Sequence, residues 1–187
     1  MDYILQIEKL NKYLEFNLDI KDKILLKQLL ANFNNDLNLI GCFLKDFLTL
    51  ENNGQITSDE NIYNDFVLCF EKYKSKNKEL HLLNKVLEYS EYYLTIVFED
   101  TQDRVLLSTI ASINSCFAME YYPFMMELIG KKINTKIDDI TYALMLQCIS
   151  DAVFKNFQSQ EQYSVNLLDL REKLEEYNSS KNERIAI

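Results

Sequence analysis

Three glycines and one proline in 187 residues leave this chain almost none of the punctuation that β-hairpins, bulges and tight turns require. Helices need far less of it, since they start on Ser, Thr, Asp or Asn and stop with one left-handed residue. The expected fold class is therefore all-α: a single compact multi-helix bundle of about seven to nine helices, with a short irregular α-solenoid as the alternative. No repeat of fixed period emerges, which argues against a regular solenoid. Size scaling lets one domain of this length bury about 70% of the surface that its unfolded form exposes. We assign residues 1–178 to a single helical domain and expect 179–187, SSKNERIAI, to be a disordered C-terminal tail.

Charge narrows the partners. With 29 acidic against 20 basic residues the net charge is -9, which repels nucleic acid phosphate and anionic lipid and favours a basic protein partner. No nucleic acid and no membrane are expected as ligands. The four cysteines, Cys42, Cys69, Cys116 and Cys148, are far apart and have no CxxC spacing, so they read as small buried hydrophobes in a reducing compartment. No basic n-region followed by an apolar h-region opens the sequence, and a cytoplasmic location is expected.

Helical periodicity starts at Tyr3, Ile7, Leu10 and Leu14, which share one face, with Asp2 available as a cap. A second helix begins near Asp19, and Asn34-Asn35-Asp36 is either a turn or a polar stripe within a longer helix. Gly41, inside an apolar helical stretch, suggests a close helix crossing. In ENNGQITSDE, Gly54 suits a left-handed cap, and Thr57 with Glu60 makes a capping box that would start a helix at Thr57 or Ser58. From Leu106 to Leu128 a nearly all-apolar helix reads as central. Pro123 requires it to kink there, or to stop at Tyr122 and restart. Gly130 looks like the next C-terminal cap, and Asp138 or Asp139 the cap of the helix after it.

Few residues could support catalysis. No GxxxxGK[ST], GxGxxG or GxSxG occurs, so phosphate loops and the common serine elbow are missing. His81 is the single histidine, which excludes multi-histidine metal sites and two-histidine acid–base pairs. It reads as a helix-face residue near an N-terminus. Glu88-x-x-Glu91 matches the first half of the paired ExxE and ExxD motifs with which all-α nucleotide pyrophosphatases hold Mg²⁺, but no ExxD follows at a suitable distance, so that family is not assigned. Asp151 breaks an apolar helix, yet Gln147, Asp151 and Lys155 at i, i+4 and i+8 form an ordinary polar stripe. No catalytic residue, metal or cofactor is assigned.

The acids Glu99, Asp100 and Asp103 sit before an apolar run, where Asp100 as N-cap and Asp103 at N3 would meet unpaired backbone N–H groups and the positive helix end. Tyrosines beside carboxylates are the remaining unusual feature. Tyr89, Tyr92, Tyr93, Glu99, Asp100, Asp103 and Glu120 are the expected partner-binding residues, because tyrosine offers stiff contact area and carboxylates meet lysine or arginine across an interface. The alternative is that these tyrosines are core residues whose hydroxyls reach solvent. The functional expectation is a non-enzymatic acidic helical binding protein, most concretely an immunity protein or antitoxin-like inhibitor that occludes a basic toxin or nuclease. The alternatives are a carboxylate-Mg²⁺ hydrolase of phosphorylated small molecules, using Glu88, Glu91, Glu99 or Asp103, and a helical scaffold or regulatory subunit from a phage or plasmid.

Overall fold

Asparagine and aspartate, rather than glycine and proline, divide the chain. In the computed structural model, which describes residues 3–159 and 167–185, Asp19, Asp36 and Asp103 each accept two backbone N–H groups at the start of a helix. Asp138 accepts from Thr141 N at 2.7 Å in the same role. Helix stops use left-handed residues, with φ of 52° at Asn34, 60° at Asn35, 54° at Asn53, 52° at Asn77 and 89° at Gly54.

The described residues form helices α1 (Tyr3–Asn17), α2 (Ile20–Asn32), α3 (Leu37–Glu51), α4 (Ile62–Lys74), α5 (Glu79–Phe98), α6 (Arg104–Ser115), α7 (Tyr122–Ile133), α8 (Asp139–Ser159) and α9 (Leu167–Ile185), with a 3₁₀ turn at Met119–Tyr121. No strand occurs among them, and the fold is all-α. The proposed Asp2 cap lies outside the described residues. The chain divides into two compact units, Met1–Tyr93 and Leu94–Ile187, so the division falls inside α5.

In the first unit α3 is the centre. Eight of its residues are buried, and Phe43 and Phe47 are fully so. The Phe43 ring lies 5.4 Å from Phe33 and 5.5 Å from Tyr93, centroid to centroid, which joins the end of α2 and the middle of α5 to α3. Gly41 does mark a close crossing: a Cβ there would sit 2.6 Å from Cδ1 of Tyr3 on α1. The Asn34-Asn35 pair is a turn, not a stripe, because both residues are left-handed.

The capping box at Thr57 does not form. Helix α4 starts later, at Ile62, and Thr57 is buried with its N–H donating to Thr49 Oγ1 at 3.3 Å. Its hydroxyl is buried with no hydrogen-bond partner among the described residues, so it makes no capping bond.

The second unit corrects the long central helix. It stops at Ser115, Phe117 turns left-handed at φ 55°, and the chain re-enters helix at Tyr122 with Pro123 in the first turn. The restart at proline was legible; the earlier stop was not. Gly130 is buried inside α7 rather than capping it. Phe124, Met125, Met126 and Leu128 of α7 are fully buried. Helices α6 and α8 meet around Thr109, whose hydroxyl reaches Leu146 O at 3.4 Å and accepts from Ser150 Oγ at 3.2 Å. Helix α9 seats Leu174, 1% exposed, and its Arg171 Nε donates to Glu127 Oε2 of α7 at 2.7 Å. Its backbone stays helical to Ile185, through most of the expected tail; residues 186 and 187 lie outside the description.

Candidate functional site

The seven expected binding residues separate into two groups. Tyr89, Tyr92 and Tyr93 lie on the part of α5 that belongs to the first unit, and two of them are interior: Tyr92 is 6% and Tyr93 3% exposed. Tyr89 is half-buried, meets Phe47 edge to face at 5.8 Å and Tyr92 at a tilt at 5.5 Å, and carries Lys85 Nζ 5.4 Å above its ring. The Tyr92 hydroxyl donates to Glu88, and burial followed by that carboxylate lifts its pKa well above the ordinary phenol. Tyr92 and Tyr93 brace the core of the first unit, and Tyr89 sits half-buried at its edge.

Glu99, Asp100, Asp103 and Glu120 belong to the second unit. Asp103, not Asp100, is the N-cap of α6, accepting from Val105 N at 2.9 Å and Leu106 N at 3.1 Å. That use explains its carboxylate without a ligand. Glu99, Asp100 and Glu120 remain exposed.

Around them the structure adds residues that periodicity did not single out. Two helix ends come together through Asn114: its Nδ2 donates to Ile96 O at 3.3 Å and to Glu99 Oε1 at 3.0 Å, and its Oδ1 accepts from the Tyr122 hydroxyl at 2.8 Å. The stops that it ties are both left-handed and neither is glycine: Glu99 and Phe117 each have φ 55°. Next to them Phe98 is 64%, Phe117 78% and Met119 52% exposed. A bulky side chain in the left-handed region costs about 1–2 kcal/mol relative to glycine. Here that conformation holds an aromatic ring in water. Phe98, Phe117 and Met119 are thus exposed at or beside the two tied helix stops, in the same stretches of chain as the exposed Glu99, Asp100 and Glu120. The sequence signal for it was the missing glycine at a helix end, visible only once the end is located.

In the first unit the Asp59 and Glu51 carboxylates are satisfied by neighbouring side chains. The Asp59 carboxylate accepts from Lys45 Nζ at 2.8 Å and from the Tyr3 hydroxyl at 2.7 Å, and these bonds, Lys45 first, hold its pKa below the usual value. Glu51 accepts from Lys85 Nζ and from the Tyr73 hydroxyl at 2.9 Å, while Tyr73 stacks against exposed His81 at 6.2 Å. Burial raises Cys42 and pushes Cys69 up to about 11, which makes both poor nucleophiles at neutral pH. Asp46, one turn after Cys42 in α3, is pushed up to about 8 by burial, against the pull of Lys45. Asp151 is the polar stripe expected, accepting from Gln147 Nε2 at 2.9 Å.

An open depression of about 480 Å³ lies between α1 and α4, walled by Lys9, Lys12, Tyr13, Phe16 and Tyr63. Tyr13 and Tyr63 meet edge to face at 6.3 Å, and the Tyr13 hydroxyl donates to Glu71. Among the described residues no group of three His, Cys, Asp or Glu side chains is placed to hold a metal ion, and no helix is long and apolar enough to cross a membrane. No family model matches the sequence, and comparison with curated proteins and with solved structures likewise returned no match.

Proposed function

We propose that this chain is a non-enzymatic, cofactor-free protein-binding protein that docks on a basic protein surface through the patch of Phe98, Phe117 and Met119 and its carboxylate edge. The observation that carries the reading is Phe117: a large aromatic residue in a left-handed helix stop, 78% exposed, beside two more exposed apolar side chains. Backbone strain that displays a hydrophobic ring to water stabilises nothing in the free chain, and an aromatic anchor within a polar rim is how interfaces concentrate binding energy. Glu99, Asp100 and Glu120 supply the electrostatic half, and the net charge of -9 extends their field.

The concrete form is an immunity-type or antitoxin-like inhibitor in the cytoplasm, covering the basic working face of a toxin or nuclease. Nucleic acid is not part of the proposal, since that field repels phosphate. The experiment is co-expression with the products of the neighbouring genes, followed by association kinetics of any complex at several salt concentrations. A basic partner is expected, with an on-rate that falls steeply with salt and drops at least about tenfold in the double variant Glu99→Lys, Glu120→Lys. Salt-insensitive binding, or binding untouched by the charge reversals and by Phe117→Ala, overturns the reading.

A further inference from the structure

Helix α2 meets the first unit through a short inner face and through Phe33, just past its end. Its buried residues are Asp22, Leu26 and Leu29, so a carboxylate takes one of three places on its inner face. Beneath its leucines, Leu25 and Leu29 among them, an apolar gap of about 20 Å³ remains against Leu10, Ile40 and Phe66. A gap of that chemistry stays dry, so its lining loses dispersion contacts on one side. The outer face carries Ile20 and Ile24, 82% and 54% exposed. The helix ends in two successive left-handed residues, Asn34 and Asn35.

Asp22 is the focus. It is 9% exposed, and the charges that bear on it are both negative: Asp19, the cap of its own helix, and Glu79, the first residue of α5. Glu79 Oε2 is buried with no hydrogen-bond partner among the described residues. Two carboxyl groups therefore face inward from α2 and α5, and among the described residues no cation pairs with either. Burying an ionised carboxylate in that way is costly, and protonation of one removes the cost.

We propose that α2 is an acid-latched flap: with Asp22 protonated it seats its leucines on the first unit, and with Asp22 ionised beside Glu79 it lifts about the Asn34–Asn35 turn. Burial, then Asp19 and Glu79, raises the Asp22 pKa above its ordinary value. A raised folded-state value means that the docked form binds the proton more tightly, so docking is strongest below the ordinary carboxylate range and weakens as pH rises through the raised value. Lifting would uncover the apolar faces of α1 and α3 that the leucines now cover.

The test is hydrogen exchange of the full chain read by mass spectrometry at about pH 5 and pH 8, with protection corrected for intrinsic rates. An Asp46→Asn background separates the flap from titration of α3. In that background, amides of residues 20–32 are expected to lose at least about tenfold in protection relative to α3 between the two conditions. Asp22→Asn, which mimics the protonated acid and preserves the fold, is expected to keep the pH 5 protection at pH 8, and Glu79→Gln to move the same way. Equal protection of α2 and α3 at both pH values overturns the proposal, as does a pH dependence that survives Asp22→Asn.

Discussion

Both units cap helices with aspartate and hold a glutamate with cations, Glu51 in the first and Glu127 in the second, but they differ in where their other acids go. The first draws carboxylates inward: Asp22 and Asp46 are desolvated enough to raise their pKa values, and Asp59 and Glu51 are held by lysine and tyrosine. The second leaves Glu99, Asp100 and Glu120 exposed and spends Asp103 on a helix start. Its core around Phe124, Met125 and Met126 is apolar, and its hydroxyl contacts at Thr109 are satisfied. The sign of a residue's charge thus says little about its use; the solvent around it decides. The first unit is expected to respond to pH, and the second to partners.

The largest expected effect tests whether each core carries its own unit. Phe43→Ala should cost about 3–5 kcal/mol and Met125→Ala about 2–5 kcal/mol, read by denaturant titration with local hydrogen exchange as a second probe. If either loss were under about 1 kcal/mol, that unit would not rest on the core described. A smaller effect separates the units by pH. Because burial pushes Asp46 from 3.8 up to about 8, its contribution is fully present below about pH 4 and is lost as pH rises through about 8. Asp59, whose pKa is lowered from 3.8, acts in the opposite sense and only in more acid solution. Urea midpoints between about pH 5 and pH 9 should therefore fall in the wild type, and Asp46→Asn should flatten the slope. A slope unchanged in that variant would remove the contrast between the units.

The smallest effect concerns the second unit's surface. Phe117→Gly relieves the left-handed strain and should raise stability by up to about 1 kcal/mol while weakening partner binding. A variant that is both less stable and unaltered in binding would mean that the ring packs on its own chain.

Much of this was legible from residue types and spacing. The helical class followed from the lack of glycine and proline; Asp19 and Asp138 were located as helix starts, Gly41 as a crossing and Gly54 as a left-handed stop. Other features depend on tertiary contact. Apolar residues keep helical spacing through Ile113, Phe117, Tyr121 and Phe124, so nothing local announces that Phe117 turns the chain. Thr57 and Glu60 spell a capping box, but burial of Thr57 against Thr49 moves the helix start to Ile62. The division inside α5 has no linker, so no shift in composition accompanies it. Of the candidate site, the exposed acids were found and their apolar companions were not, because exposure of Phe98 and Met119 is decided by where helices end.

The asparagines at the helix stops carry one more consequence. Glycine in those places would enter the left-handed region freely, but it would also give the denatured chain more states to lose on folding. Asparagine accepts the same backbone angles with a side chain that already narrows the random coil. By turning at Asn34, Asn35, Asn53 and Asn77, the protein trades a little local comfort for a less disordered starting ensemble, a gain in stability that no contact in the folded molecule records.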